Sequence, residues 1–61
     1  MKFIMEINLD NAAFDDACRA IEIQRLLKVV YADLGTGPIG PHYTKTLWDA
    51  NGNAVGEARV T

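Results

Sequence analysis

Tyr43-Thr44-Lys45-Thr46-Leu47-Trp48-Asp49-Ala50-Asn51-Gly52-Asn53-Ala54-Val55-Gly56-Glu57-Ala58-Arg59-Val60 is the stretch that decides the fold. Two β-like runs flank an Asn-Gly pair, and both of those residues tolerate the positive φ that a tight hairpin turn demands. The pattern predicts a β-hairpin over the C-terminal third, with two possible registers. If Asn51-Gly52 alone form the loop, Trp48 faces Val55, and Tyr43, Leu47, Ala58 and Val60 share a face. If Ala50-Asn51-Gly52 form a type I turn closed by a glycine bulge, which Asp49 also favours, Leu47 faces Val55 and Lys45 faces Glu57. A one-residue slip moves a whole strand's side chains to the other face. The first register is preferred because it gathers Thr44, Thr46, Glu57 and Arg59 toward solvent. In both registers Trp48 has the opposite parity to Leu47, so a core Leu47 puts Trp48 on the outer face of the sheet.

Upstream, residues 2–9 alternate: Phe3, Met5, Ile7 and Leu9 on one face, Lys2, Ile4, Glu6 and Asn8 on the other. Period two with one apolar face predicts a half-buried strand. Asp10-Asn11 breaks it with turn and N-cap chemistry, and Phe14, Asp15 and Asp16 follow, the carboxylates suiting a helix N-terminus. From about Asp15 to Leu34 the period is helical. Ala20, Ile23, Leu27, Val30 and Leu34 form the expected core stripe, with Leu26 and Tyr31 at its edges and Glu22, Arg25, Lys28 and Asp33 away from it. Gly35 is expected to end the helix in a left-handed conformation. Ile21 and Val29 project away from the stripe, either as ordinary scattered surface residues or as part of a second buried surface.

Together these segments predict one α+β domain over residues 1–61: a β-α-β-β unit with a three-stranded sheet and one helix packed on one face. Gly35-Thr36-Gly37-Pro38-Ile39-Gly40-Pro41-His42 reads as a connection or, alternatively, a partner loop. A chain of 61 residues is near the lower size limit for independent folding and usually needs a staple. Cys18 is the only cysteine, which excludes an internal disulfide. With His42 as the only histidine, four zinc ligands are not available either. Self-association is the remaining staple, so a homo-oligomer, dimer or higher, is expected.

The net charge of −2 argues against nucleic acid, which calls for a basic face. Met1–Met5 is too short and too charged for a signal peptide, no apolar run is long enough to span a membrane, and the lone thiol fits a reducing compartment. A cytoplasmic protein is expected.

No catalytic group stands out, and an enzyme is not expected. Cys18 and His42 would need to meet in space to form a nucleophile–base pair. Asp15 and Asp16, adjacent on a helix, point ~100° apart. Asp49, Asn51 and Asn53 have calcium-loop donors but lack the further acidic ligands. The glycines of 35–40 follow a helix rather than precede one, so they make no phosphate cradle. No cofactor or metal is expected. Trp48 remains, costly to leave wet and of a type enriched at binding hot spots. Either the Pro38-Ile39-Gly40-Pro41 loop folds over it or another chain does. Trp48, Ile21, Val29 and Ile4 are the candidate partner or self-association surface.

Asp10-Asn11-Ala12-Ala13-Phe14 after a strand, then a helix, then Leu47-x-Asp49-x-Asn51-Gly52-Asn53-x-Val55-Gly56, resembles a family of very small uncharacterised bacteriophage and prophage proteins. Gly35–His42 stands where that family has a more charged stretch. The resemblance carries no site residues over. It implies a setting, that of phage accessory genes, some of which encode small inhibitors of host defence. The expected function is therefore docking on a host protein to inhibit it. Two alternatives are a sponge that sequesters a small nucleotide signal at a subunit interface, using Arg59, Lys45, Tyr43 or His42, and an ancillary component of a phage assembly.

Overall fold

A computed structural model describes residues 1–10 and 14–61. Asn11, and with it half of the expected Asp10-Asn11 break and most of the Asn-Ala-Ala-Phe segment, lies outside the described residues. The fold is α+β, with elements in the order β1 (Phe3–Ile7), α1 (Arg19–Leu34), β2 (Thr44–Trp48) and β3 (Ala54–Val60). The sheet is antiparallel throughout, in the order β1-β3-β2. The hairpin puts β3 beside β2, and β1 adds to the free side of β3, with Phe3 opposite Val60 and Ile7 opposite Gly56. The expected strand over 2–9 shortens to 3–7, with Lys2 N–H bonding to Thr61 O at 2.7 Å beyond its end.

Each of the two hairpin registers describes part of the molecule. From Thr44 to Leu47 the pairing is that of the two-residue loop: Thr44 faces Arg59, Lys45 faces Ala58 and Leu47 faces Gly56. At the turn end the geometry is that of the longer loop. Trp48 faces Ala54 rather than Val55, Asp49 N–H donates to Asn53 O at 2.8 Å, and Gly52 N–H donates to Asp49 O at 3.1 Å. Val55 is the extra residue that joins the two registers, a bulge that lets the strands follow one pattern and the turn another. Gly52 adopts the expected positive φ, +85°.

Three helix expectations need correction. The helix begins at Arg19, not Asp15. The Asp15 carbonyl accepts from Arg19 N–H at 2.8 Å and its carboxylate from Cys18 N–H at 3.0 Å, so residues 15–18 form a separate turn before the helix. Gly35 is not left-handed. It has φ −75°, and the reversal comes at Gly37, with φ +149°, just ahead of Pro38. The buried face is Glu22, Leu26 and Val30, with Ile23 and Leu34 half-buried, while Leu27 is 50% exposed and Ala20 and Tyr31 face solvent. Relative to the expected stripe the helix is turned by roughly 80° at 100° per residue. The reason lies in Glu22, whose carboxylate serves the hairpin turn and so brings that side of the helix inward.

The core is Phe14, Leu26, Val30, Leu47, Val55 and Ala58, with Met5, Ile7, Leu9, Ile23, Leu34 and Tyr43 packed around it. Phe14, fully buried before the helix, was not assigned to the core from the sequence. Gly56 is a close-approach glycine. A Cβ there would sit 1.9 Å from Glu6 O, so β1 can lie against β3 only because that position has no side chain.

Candidate binding surface

The turn between β2 and β3 is the most densely hydrogen-bonded part of the described chain. Asp49, almost fully buried, accepts on Oδ1 from the N–H groups of Asn51 at 2.9 Å and Asn53 at 2.8 Å, and on Oδ2 from Asn53 Nδ2 at 3.3 Å. This use of the Asp-x-Asn-x-Asn donors is a self-bonded turn, the common behaviour of such residues. The helix holds the turn from the other side. Glu22, only 6% exposed, accepts from Ala50 N–H at 3.3 Å and pairs with the Arg25 guanidinium. Arg25 Nη2 in turn donates to the Trp48 carbonyl at 2.8 Å. A buried carboxylate is tolerated only when paired and hydrogen-bonded, and both conditions are met here.

Trp48 is therefore pinned by its backbone while the residue stays 54% exposed. Its partner across the strands is the small, exposed Ala54. Ile21, 70% exposed, lies one helical turn before Arg25, at the same end of the molecule. Val29 is half-buried on α1. Ile4 is half-buried and faces Arg59, and because β3 separates β1 from β2 it is not the neighbour of Trp48. The four candidate surface residues thus divide into a Trp48–Ile21 end, a half-buried Val29 on α1 and a separate Ile4 position on β1. Pro38, Ile39, Gly40 and Pro41 are all exposed, and the loop does not enclose Trp48.

The candidate ligand residues are also divided. Tyr43 and Lys45 share the helix side of the sheet, where the Tyr43 hydroxyl donates to Asp33 Oδ2 at 2.6 Å and Lys45 Nζ lies 3.9 Å from Asp33 Oδ1. Burial, then the hydrogen bond to Asp33 and its charge, push the Tyr43 pKa up to about 12. His42 is exposed in the loop before β2. Arg59 lies on the opposite face, bonded to Glu6 and, at 3.1 Å, to Glu57. The Glu6 hydrogen bond leads in holding its guanidinium protonated, with both carboxylate charges adding to it. The sheet bears an open groove there of about 490 Å³, lined by Glu6, Thr46, Val55, Gly56, Glu57 and Arg59 among others. Two carboxylates against one cation make it unattractive to a phosphate.

Cys18 is exposed, and its thiol pKa is raised, first by hydrogen bonding to Asp15 and then by the charge of that carboxylate, the reverse of thiolate activation. It stands at the start of α1, whereas Tyr43 ties His42's neighbourhood to Asp33 at the far end. The helix between them is about 24 Å long at 1.5 Å per residue, so the two groups are not a pair within one chain. Among the described residues no His/Cys/Asp/Glu group of metal-binding kind occurs, and no helix is long and apolar enough to cross a membrane. Comparison with known protein families, characterised proteins and solved structures finds no match to this chain.

Sequence reasoning did not identify the Glu22–Arg25 clamp. The i, i+3 spacing of opposite charges was legible, but their common target, 23 residues on at the Trp48 carbonyl, belongs to tertiary structure alone.

Proposed function

We propose that this chain is a non-catalytic binding protein that works as a small homo-oligomer and docks on a host protein to inhibit it, in the manner of a bacteriophage accessory protein. The observation that carries this reading is the exposed Trp48 side chain on a turn fixed from both sides by Asp49, Glu22 and Arg25. Binding hot spots are large aromatics held rigidly before the partner arrives, because little entropy is then lost on docking. Ala54 opposite, and the exposed Ile21 one helical turn before the Arg25 that holds the Trp48 carbonyl, suit the near-neutral surround of such an anchor. The phage setting and the inhibitory role rest on the resemblance of the Asn-Ala-Ala-Phe and Leu-x-Asp-x-Asn-Gly-Asn segments. The nucleotide-sponge alternative has less support, because Arg59 and the Tyr43–Lys45 pair lie on opposite faces and all are engaged by carboxylates.

The test is immobilised protein against a bacterial host lysate, parent beside Trp48→Ala. The parent should retain a stoichiometric protein and Trp48→Ala should lose it, with circular dichroism unchanged. A parent that retains only a nucleotide, or a variant that captures as well as the parent, would overturn the reading.

A further inference from the structure

The sheet has two edges, β1 and β2, and among the described residues no strand pairs with the outer side of β1. Its pairing with β3 uses the N–H and C=O groups of alternate residues: Lys2 and Thr61 exchange bonds at 2.7 and 2.8 Å, and Asn8 N–H donates to Val55 O at 2.7 Å. By the alternation of an antiparallel ladder, the backbone groups of Phe3, Met5 and Ile7 point off the edge. The other edge, β2, is guarded at one end, where the Trp48 carbonyl is taken by Arg25. The helix packs on β2 more closely than on β1. Phe3 is therefore left exposed and Met5 and Ile7 half-buried on the helix side of the edge strand.

We propose that β1 pairs with β1 of a second copy, antiparallel about a two-fold axis at Ile4, to make a continuous six-stranded sheet. The inference deepens the self-association part of the function proposed above and rests on it. The sequence of β1 is self-complementary in one register. With Ile4 opposite Ile4 of the second copy, Lys2 meets Glu6, Phe3 meets Met5 and Met1 meets Ile7. Every cross-strand pair is then apolar with apolar or positive with negative, the combinations that stabilise sheets. The off-edge groups of Phe3, Met5 and Ile7 fall at hydrogen-bonded positions in this register. Shifting by two residues sets Ile4 against Glu6 in one direction; a shift of four sets Glu6 against Glu6, a like-charge pair.

The dimensions agree with a chain built to bury more. It exposes 4352 Å², against about 3,900 Å² for a self-standing protein of its mass. Its radius of gyration is 12.1 Å, against about 10.5 Å for a compact domain of this length. An exposed edge is also what natural proteins cover, charge or shorten. Here Lys2 and Glu6 are charges that select one partner orientation, since Glu6 is held in place by Arg59. A perpendicular two-fold axis puts both helices on one face and leaves the two Trp48 side chains at the far ends of the sheet, free for a different partner.

The experiment combines sedimentation mass with amide hydrogen exchange. At micromolar concentration the mass should be twice the 6.7 kDa chain, and the Phe3 and Met5 amides should be protected, losing that protection on dilution to monomer. Lys2→Glu should weaken dimerisation at least about tenfold. Lys2→Arg, which keeps a positive charge opposite Glu6 of the second copy and leaves the Glu6–Arg59 pair intact, should dimerise as the parent does. A monomeric mass would overturn self-association altogether. A dimer with unprotected Phe3 and Met5 amides, or one indifferent to the Lys2 charge, would overturn the edge pairing and leave another contact to account for the oligomer.

Discussion

A methyl group at Gly56 has no space to occupy, since its carbon would lie 1.9 Å from the Glu6 carbonyl oxygen and 2.9 Å from Ile7 Cα. Both atoms are backbone, so the strain cannot be relieved by a side-chain rotation. Gly56→Ala should therefore detach or displace β1, with a loss of stability above ~3 kcal/mol, toward the severe end of single substitutions; a melting curve like the parent's would show that the strands can separate freely there. Gly52 is a milder case. Open space surrounds it, but φ +85° makes Gly52→Val cost over ~1 kcal/mol in backbone strain, measurable by urea unfolding. Tyr43 gives a pH signature. Its raised pKa means that the folded chain holds the phenolic proton more tightly than the unfolded chain, whose value is near 10.0. That contribution is complete below pH 10 and is lost as pH rises toward about 12. Thermal melts over this window should fall more steeply for the parent than for Tyr43→Phe; parallel curves would contradict the tighter hold on the phenolic proton that burial and Asp33 together give. The role of Gly52 was readable from the Asn-Gly pair. That of Gly56 was not, because a close approach between strands 50 residues apart leaves no local mark.

Among the elements, the helix shows where periodicity reaches its limit. Its existence and its end at Leu34 follow from the sequence, but its rotation does not. Leu27 and Leu26 are neighbours with similar claims to the core, and the apolar count favoured the face bearing Leu27. The Glu22 contact with the Ala50 amide and the Arg25 contact with the Trp48 carbonyl decided for Leu26, which is 1% exposed. Leu26→Ala should thus destabilise by roughly 2–5 kcal/mol as a buried leucine does, whereas Leu27→Ala should cost less than about 1 kcal/mol. The reverse order in denaturant unfolding would turn the helix back to the face bearing Leu27. Arg25→Ala removes the partner of a buried carboxylate and should cost about 1–3 kcal/mol, with faster amide exchange at Ala50. The hairpin was legible in a different sense: both registers were derivable, and one bulged residue, Val55, allows the molecule to use parts of each. Local turn chemistry fixed one end and facial polarity the other, and the bulge reconciles them.

At the scale of the whole molecule, one helix over one face of three strands is too little cover for the apolar surface this chain carries. Two sites are left over, and they differ in character. The β1 edge presents repeating backbone groups with a self-complementary charge pattern, the contact we propose for another copy of the chain. The Trp48–Ile21 end presents an exposed aromatic beside a clamped turn, the surface we propose for a different protein. The sequence indicated Trp48 through strand parity, and Ile21 through its place off the expected stripe. Ile4 would join them only if the first strand adjoined that of Trp48, and the order β1-β3-β2 sets it apart, a tertiary property that alternation does not encode. Trp48 is the only tryptophan in the chain, so its fluorescence reports this division directly. Quenching by a small water-soluble agent, measured on the isolated protein from monomer to fully associated concentrations, should find Trp48 accessible throughout. Shielding of Trp48 that grows in step with association would contradict the division and place the tryptophan inside the self-contact.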